Sequence, residues 1–264
     1  MKHLKELISE KLIINKNIKV NTKEKFHPQD KNELKELVNK LIEERGVEAN
    51  LNDIDTSEIT DMSYLFQNFS FNGNVSNWDV SNVKNMSFMF DRSKFDGSNT
   101  DFSNWDVSNV TTFYAMFRKC EDLTCDVSNW TMSNAGNISE MFWGCSNFDS
   151  DLSKWNIHKV YNLDETFYGC TKFKGKGLEK WNTSNINTMK GAFVFCENFN
   201  IDISKWDVSK CVNMEQLFRG CKSFDQNLSR WNLKSIKHVS DKAHMFDNTK
   251  MQYKRSSQPK KFKV

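Results

Sequence analysis

Five cysteines recur at one position of a repeating pattern and are the residues best suited to metal or redox chemistry. They are Cys120, Cys145, Cys170, Cys196 and Cys221. Metal sites and redox motifs are typically built from closely spaced pairs such as C-x-x-C, which this sequence lacks. Because free cysteine packs like a small apolar side chain, we predict buried structural thiols, with metal binding and a redox role as the alternatives.

No combination of acids, histidines and nucleophiles in the sequence is typical of an enzyme. The histidines share no ligand spacing, and the G-x-S-x-G, phosphate-loop and H-E-x-x-H motifs do not occur. The acidic residues that follow three of the tryptophans share that position with Asn and Thr, which favours turn chemistry over a catalytic carboxylate pair. We therefore predict a non-enzymatic protein with no cofactor and no bound metal.

The residues on either side of seven repeated tryptophans are the main candidates for partner binding. If each tryptophan faces a core, the residue before it points outward, about 5 Å from its counterpart in the next coil. These preceding residues change from amide to basic along the chain: Asn77, Asn104, Asn129, Lys154, Lys180, Lys205 and Arg230. The candidate residues after the tryptophans are Asp79, Asp106, Asn156, Asn182, Asp207 and Asn232. This pattern favours a partner with an acidic end; ordinary solvation with partial charge pairing is the alternative.

Trp143, in the sequence MFWGC, is the one tryptophan that lies outside the regular spacing. We expect it to be exposed, and exposed tryptophans are frequent anchors of protein interfaces. Trp143 is therefore added to the candidate partner-binding residues.

The elements that must position these residues come from a repeat of 25 to 27 residues, marked by Trp78, Trp105, Trp130, Trp155, Trp181, Trp206 and Trp231. Ile54 fills the same slot one copy earlier. Apolar residues five, eight and twelve positions after the slot predict a short helix, and the alternation in DLSKWNI (151–157) predicts a short strand. Since one unit cannot bury its apolar surface alone, we predict an α/β solenoid of about eight strand–turn–short-helix units with one parallel sheet.

The repeated phrase L-S-x-W-D/N-V-S-x-V-x-x-M-x-x-M-F-x-x-C-x-x-F covers about residues 50–248. It resembles the BspA-like leucine-rich-repeat surface proteins, and the same repeat occurs as a domain of unknown function in mycoplasma lipoproteins. The resemblance implies a leucine-rich-repeat-like solenoid that serves adhesion or protein binding through the exposed face of its sheet. Members of the family are commonly exported, whereas this sequence shows no export signal.

The two ends of the chain differ from the repeats between them. Residues 1–50 are predicted to be a mainly helical cap that packs against the first repeat, because an apolar stripe follows a capping-box pattern at Asp30 and Glu33. Docking of a partner helix on that stripe is the alternative. Residues 51–249 form the predicted repeat solenoid, and residues 250–264 a basic tail that we expect to be disordered.

Charge and hydropathy limit the classes of partner and the cellular locations that the sequence favours. The formal charge is +3, and the tail holds six basic residues and no acid, so the rest of the chain carries −3. We therefore expect another protein as partner and a monomeric chain; binding of a polyanion or nucleic acid through the basic half-face and the tail is the alternative. The sequence shows no signal peptide and no apolar stretch of about 20 residues, which predicts a cytoplasmic protein without a membrane span. The family resemblance adds the cell surface or a phage particle as alternative locations.

Overall fold

The computed structural model describes residues 25–260; residues 1–24 and 261–264 lie outside the described part. Helix α1 (Lys31–Arg45) is followed by a stack of turn-rich coils, one for each repeat. Within residues 25–260 the other helical elements are three short 3-10 helices: Leu178–Lys180, Ser240–Lys242 and Arg255–Ser257. The predicted α/β solenoid with a parallel sheet is wrong, because the described residues contain no β-strand and no short α-helix in each coil. No helix among them is long and apolar enough to cross a bilayer.

Successive coils are joined by parallel backbone hydrogen bonds that do not extend into strands. Isolated parallel bridges join Asn85 to Thr112 and Thr112 to Asn137. From this position every second amide donates to the next coil, as Met86 N does to Thr112 O (3.1 Å). The amides between them close turns within the coil, as Met89 N does with Met86 O (3.2 Å). Each coil therefore satisfies its backbone through turns and neighbouring coils rather than through a helix or a sheet.

Two residues with left-handed backbone in each of these coils exclude the predicted short helices. Phe88 (φ 58°) and Arg92 (φ 55°) occupy the two positions in one coil, and Glu140 (φ 54°) and Gly144 (φ 75°) do so two coils later. A left-handed residue costs roughly 1–2 kcal/mol and interrupts a helix. The cost is offset because the amide of each such residue donates to a carbonyl of the next coil, at 2.8 Å for Phe88. We call the stretch that carries these two positions, residues 85–92 in the coil of Phe88, the αL segment.

The chain around each tryptophan is a tight turn rather than the predicted strand. Trp78 N donates to Val75 O at 3.1 Å, so buried side chains are three residues apart. In the strand predicted at 151–157 a turn instead joins Trp155 N to Leu152 O at 3.1 Å, and Leu152 is buried together with Trp155, against the alternation of a strand. A second turn follows at once, because Asp79 Oδ1 accepts the amide of Ser81 at 3.0 Å.

Aromatic ladders fill the core of the stack. The seven repeated indoles are all buried: Trp78, Trp105, Trp130, Trp155, Trp181, Trp206 and Trp231. Each indole N–H donates to a backbone carbonyl of the preceding coil, as Trp155 Nε1 does to Val127 O at 2.9 Å. The ring of Phe167 likewise stacks between Phe142 (5.7 Å) and Phe193 (5.6 Å). The prediction of one buried indole per coil is confirmed. Because every indole N–H is hydrogen-bonded, its burial leaves no unsatisfied donor in the core.

Helix α1 covers the first coil. Asp30 caps the helix by accepting the amides of Asn32 and Glu33. Its buried residues are Leu34, Val38, Leu41 and Ile42, and Lys35 Nζ donates to Tyr64 O at 3.5 Å. The helix falls within the predicted capping segment, whose residues 1–24 lie outside the described part.

Residues 250–260, which the sequence assigns to the basic tail, pack against the last coil. Met251 is fully buried. Leu228 N donates to Ser257 O at 2.8 Å, in place of the bond that earlier coils make to a following coil. Residues 261–264 of the predicted tail lie outside the described residues.

Candidate interaction surfaces

The predicted partner-binding residues that precede the tryptophans form one exposed row, which we call the flanking column. Its members are Asn77, Asn104, Asn129, Lys154, Lys180, Lys205 and Arg230. They align because the neighbouring indoles stack in register, with ring centroids 6.1–6.4 Å apart from Trp155 to Trp231. The row lies on successive turns and not on the face of a sheet, so that part of the expectation is corrected. Its role in binding stays a prediction.

The predicted residues that follow the tryptophans are exposed as well, but they also build the turns. They are Asp79, Asp106, Asn156, Asn182, Asp207 and Asn232, and in each the side-chain oxygen accepts the amide two residues later. Ser108 and Ser209 donate these bonds to Asp106 and Asp207 and hold the pKa of both carboxyl groups below the usual value. A partner would find the second carboxylate oxygen of the aspartates and the amide NH2 group of the asparagines uncommitted, so the turn-building role comes first.

The basic half of the flanking column carries cations that form no salt bridge with a described carboxylate, although Lys154 lies near Asp126 and Lys205 near Asp202. Lys154 Nζ donates to the amide oxygen of Asn129 at 2.7 Å. Lys180, Lys205 and Arg230 form no salt bridge with any residue of the described part. Several other lysines of the stack, by contrast, pair with a carboxylate one coil away.

Trp143 does not join the flanking column but lies in an αL segment, about half a coil away along the chain. The ring is half-buried rather than fully exposed, and it stacks on Tyr168 with centroids 5.1 Å apart. Lys119 Nζ lies 5.1 Å from the centroid of the Trp143 ring. Trp143 also lies beside Glu165, whose pKa is raised by burial and by the nearby Glu140 carboxylate.

Two further aromatic residues extend Trp143 into a patch that the sequence analysis missed. Phe195, 39% exposed, meets Tyr168 edge to face with centroids 5.8 Å apart. We call Trp143, Tyr168 and Phe195 the ring patch. The three residues come from three successive coils but hold two different repeat positions, so recurrence does not reveal them. The available signal was an aromatic residue one or two positions before the cysteine in three of the five copies that carry it, in WGC, YGC and VFC.

Two glycines beside the ring patch leave its floor open. Gly144 and Gly169 occupy the second left-handed position of their coils, between Lys119 and Phe195 at the same position of the flanking coils. A Cβ at Gly144 would come no closer than 3.8 Å to Lys119, and one at Gly169 no closer than 3.6 Å to Gly144. Because no side chain covers the backbone there, the main chain of a partner can approach closely.

A buried ion cluster ties the coil of Trp143 to the two coils before it. Asp91 is fully buried and accepts a hydrogen bond from Arg118 Nε at 2.8 Å. Arg118 also donates to Glu140 at 2.8 Å, and Glu140 accepts from Tyr114 Oη at 2.9 Å. Hydrogen bonding to Asp91 raises the pKa of Arg118, and burial raises that of Tyr114. The cluster thereby fixes the register of these three coils.

A family profile described as "Mycoplasma protein of unknown function, DUF285" matches the chain three times, over residues 32–155, 93–177 and 136–258. The three overlapping matches cover most of the chain. The chain belongs to the DUF285 family. This agrees with the resemblance to a mycoplasma repeat that the sequence analysis noted. No curated protein and no solved structure matches the chain.

The cysteines of this DUF285 chain are all buried and free. The five that recur each donate their thiol to a backbone carbonyl of the preceding coil, as Cys145 Sγ does to Phe117 O at 3.0 Å. Burial raises the pKa of Cys120 to about 12, which keeps the thiol protonated at neutral pH. The prediction of buried structural thiols is confirmed. No cluster of acids, histidines and cysteines in the described part could hold a metal ion.

An open groove of about 370 Å³ in this DUF285 stack is lined by polar and acidic side chains near Cys125. Its carboxylates already have partners within the chain. Asp149 pairs with Lys174 and Asp151 pairs with Lys176. The groove therefore offers little uncompensated charge to a ligand.

Proposed function

We propose that this DUF285 chain is a non-enzymatic scaffold that recognises another protein, with the ring patch at the centre of the binding surface. The observation that carries the proposal is the partly exposed ladder of Trp143, Tyr168 and Phe195 beside the open floor at Gly144 and Gly169. A few aromatic and arginine side chains near the middle of an interface typically supply most of its binding energy. The repeated DUF285 matches support a repeat scaffold as the platform for such a patch.

The ring patch is held in place before any partner arrives. Tyr168 contacts Trp143 on one side and Phe195 on the other, and Lys119 Nζ lies 5.1 Å from the Trp143 ring centroid. Rigid aromatic side chains add contact area while losing little conformational entropy on binding. The arrangement therefore favours tight contact over adaptability.

Absence of catalysis is part of the proposal. Buried thiols with raised pKa values oppose nucleophilic chemistry, and the acids that follow the tryptophans are committed to turns. The BspA-like leucine-rich-repeat resemblance supports adhesion as the setting of this recognition, with the chain acting as a monomer. It also supports a cell-surface or phage location.

The variant Gly169→Lys tests the proposal by placing a long side chain over the open floor. Little new backbone strain arises, because Lys119 adopts the same left-handed conformation at this position two coils earlier (φ 61°). We expect a protein that immobilised wild-type chain retains from a lysate of the native host to be lost by about tenfold or more. The matched control Asn68→Lys adds the same side chain at the same position of the first coil (φ 59°) and should retain that protein normally.

Both variants should keep the wild-type melting temperature within a few degrees. Retention of the same protein by Gly169→Lys would contradict the ring patch as the binding centre. Equal loss with Asn68→Lys would contradict it as well, since the effect would then not be local.

Binding of a polyanion or nucleic acid is the second candidate function, and the unpaired Lys180, Lys205 and Arg230 favour it. The tail contributes less than the sequence suggests, because Lys254 pairs with Asp225 in the last part of the stack. Retention on heparin should fall when the three unpaired cations are changed to glutamine. Unchanged retention would remove the flanking column from this second candidate.

A further inference from the structure

The second half of the flanking column forms a surface separate from the ring patch, which we call the basic strip: Lys154, Lys180, Lys205 and Arg230. We propose that the basic strip binds an extended acidic segment of a partner protein that carries a carboxylate at every second residue. The inference deepens the proposed function, since it rests on a protein partner and assigns that partner a chemistry. It does not depend on the ring patch.

The first observation is that four cations stand side by side on successive coils. Each directly precedes a buried indole on an equivalent turn, and those indoles are 6.2, 6.1 and 6.4 Å apart. The backbone positions that carry the cations therefore repeat at about the same interval along the stack. Like charges on adjacent strands or coils repel one another and lower stability.

The second observation is that several other lysines of the stack pair with a carboxylate one coil away, whereas the cations of the strip form no salt bridge within the described part. Lys174 and Lys222 each meet a carboxylate one coil away, Asp149 and Glu197 respectively. In the basic strip the neighbour one coil away is another cation, and only Lys154 has an uncharged acceptor there. Asp126 and Asp202 offset part of the charge of Lys154 and Lys205, and the rest is left to ions or to a partner.

The third observation is that the basic strip is narrow. Hydrogen bonds from Ser204 and Ser209 lower the pKa values of Asp202 and Asp207, with smaller contributions from Lys205 of the strip at Asp202 and from Lys234 and Lys210 outside it at Asp207. These carboxylates border the strip and would repel a broad polyanion such as a nucleic acid duplex. A single extended chain meets the cations without covering the bordering acids.

The spacing of the basic strip matches an extended polypeptide. A strand rises about 3.3–3.4 Å per residue, so side chains on one side of it recur at about 6.7 Å. Carboxylates at alternate positions of a seven-residue segment would therefore each meet one cation, with bidentate pairing available at Arg230. A single-stranded nucleic acid would also need rings on which its bases could stack, and the neighbouring indoles are only 4–5% exposed.

Two isomeric peptides test the proposal with purified chain. One alternates glutamate and serine over seven residues, ESESESE, and the other has the same composition in blocks, EEEESSS. Fluorescence anisotropy at low salt should show that the alternating peptide binds roughly tenfold more tightly, and that salt weakens this binding. Equal affinity of the two isomers would overturn the proposed match of spacing, without recourse to any variant of the chain.

The triple variant Lys180→Gln, Lys205→Gln, Arg230→Gln should lose about tenfold or more of the affinity for the alternating peptide. Its melting temperature should equal or exceed that of the wild type, because like-charge repulsion is removed. The matched control Lys174→Gln, Lys176→Gln, Lys222→Gln removes the same charge from paired lysines and should bind within about twofold of the wild type.

Equal loss of affinity in the two triple variants would show that net charge alone accounts for the binding, and it would overturn the proposal. So would tighter binding of a single-stranded oligodeoxynucleotide or a heparin fragment of equal charge. Gly169→Lys should bind the alternating peptide like the wild type, so failure of the ring patch and failure of the basic strip can be told apart.

Discussion

Trp155 and Trp143 show the two ways in which this stack uses an aromatic side chain. Trp155 is 4% exposed, donates its N–H to Val127 O and stacks on the indole of the next coil. Trp143 is half-buried in an αL segment, where it contacts Tyr168 and a glutamate of the next coil. The first residue recurs in seven coils and the second in one.

The comparison indicates that side chains which recur in every coil build the stack. Side chains that depart from the repeat are the candidates for recognition. A position that must match its counterpart in every neighbouring coil is constrained by stacking, because each ring packs against the rings of the coils before and after it. Residues that point outward from the αL segment or the flanking column are free of that constraint. The ring patch and the basic strip are both departures of this kind.

The largest expected effect is on stability and concerns the buried indoles that build the stack. Trp155→Ala should lower the free energy of unfolding by about 4 kcal/mol, because it removes a buried ring and leaves a cavity between stacked indoles. Lys154→Ala, one residue earlier and exposed, should change it by less than about 0.5 kcal/mol. Urea unfolding measures both values, and a similar cost for the two variants would break the distinction.

Arg118→Ala should rank next, at about 3 kcal/mol, because it leaves the fully buried Asp91 carboxylate without its charged partner. The exposed pair of Lys174 and Asp149 provides the comparison, since Lys174→Ala should cost less than about 1 kcal/mol. Equal melting temperatures for these two variants would show that the ion cluster does not hold the coils in register.

The turns beside the indoles should show a smaller effect. Asp79→Ala should cost about 1 kcal/mol, because Ser81 N loses the acceptor that closes its turn. Asp79→Asn should restore most of that stability, since Asn156 and Asn182 make the same bond in later coils. If Asp79→Asn lost as much stability as Asp79→Ala, the carboxylate charge and not the turn hydrogen bond would account for the loss.

The smallest effect concerns pH. Hydrogen bonding from Lys176 lowers the pKa of Asp151 to about 2 from 3.8, so this carboxylate stabilises the fold above about pH 4 and loses that contribution as the pH falls toward 2. Asp151→Asn keeps the turn bond to Ser153 and removes the charge. The variant should be less stable than the wild type at pH 6, by under about 1 kcal/mol, and the gap should close near pH 2. A gap that widened on acidification would contradict this assignment.

The repeat, the buried indoles and the outward direction of the flanking column could be read from the sequence, because each follows from spacing alone. The secondary structure could not. Turns closed by bonds to the third residue bury every third side chain, a period close to that of a helix, and seven residues around Trp155 alternate like a strand. The left-handed conformation of residues such as Phe88 depends on a carbonyl in the next coil, which local propensity does not contain.

The candidate site was predictable only in part. Trp143 stood out because it broke the spacing of the tryptophans, but Tyr168 and Phe195 lie at positions that carry glutamine, arginine or glycine in other coils. Their contact with Trp143 appears only once the coils are stacked. The unpaired state of Lys180 likewise depends on which side chain lies one coil away.

The central claim, that the recurring indoles are enclosed while Trp143 is accessible, can be tested by tryptophan fluorescence of the Trp143→Phe variant, which retains only the seven recurring indoles. Its emission should be shifted to the blue and nearly insensitive to iodide, and the wild-type chain should show one additional, quenchable component. Strong iodide quenching of the seven indoles in the folded variant would contradict the stacked-coil account.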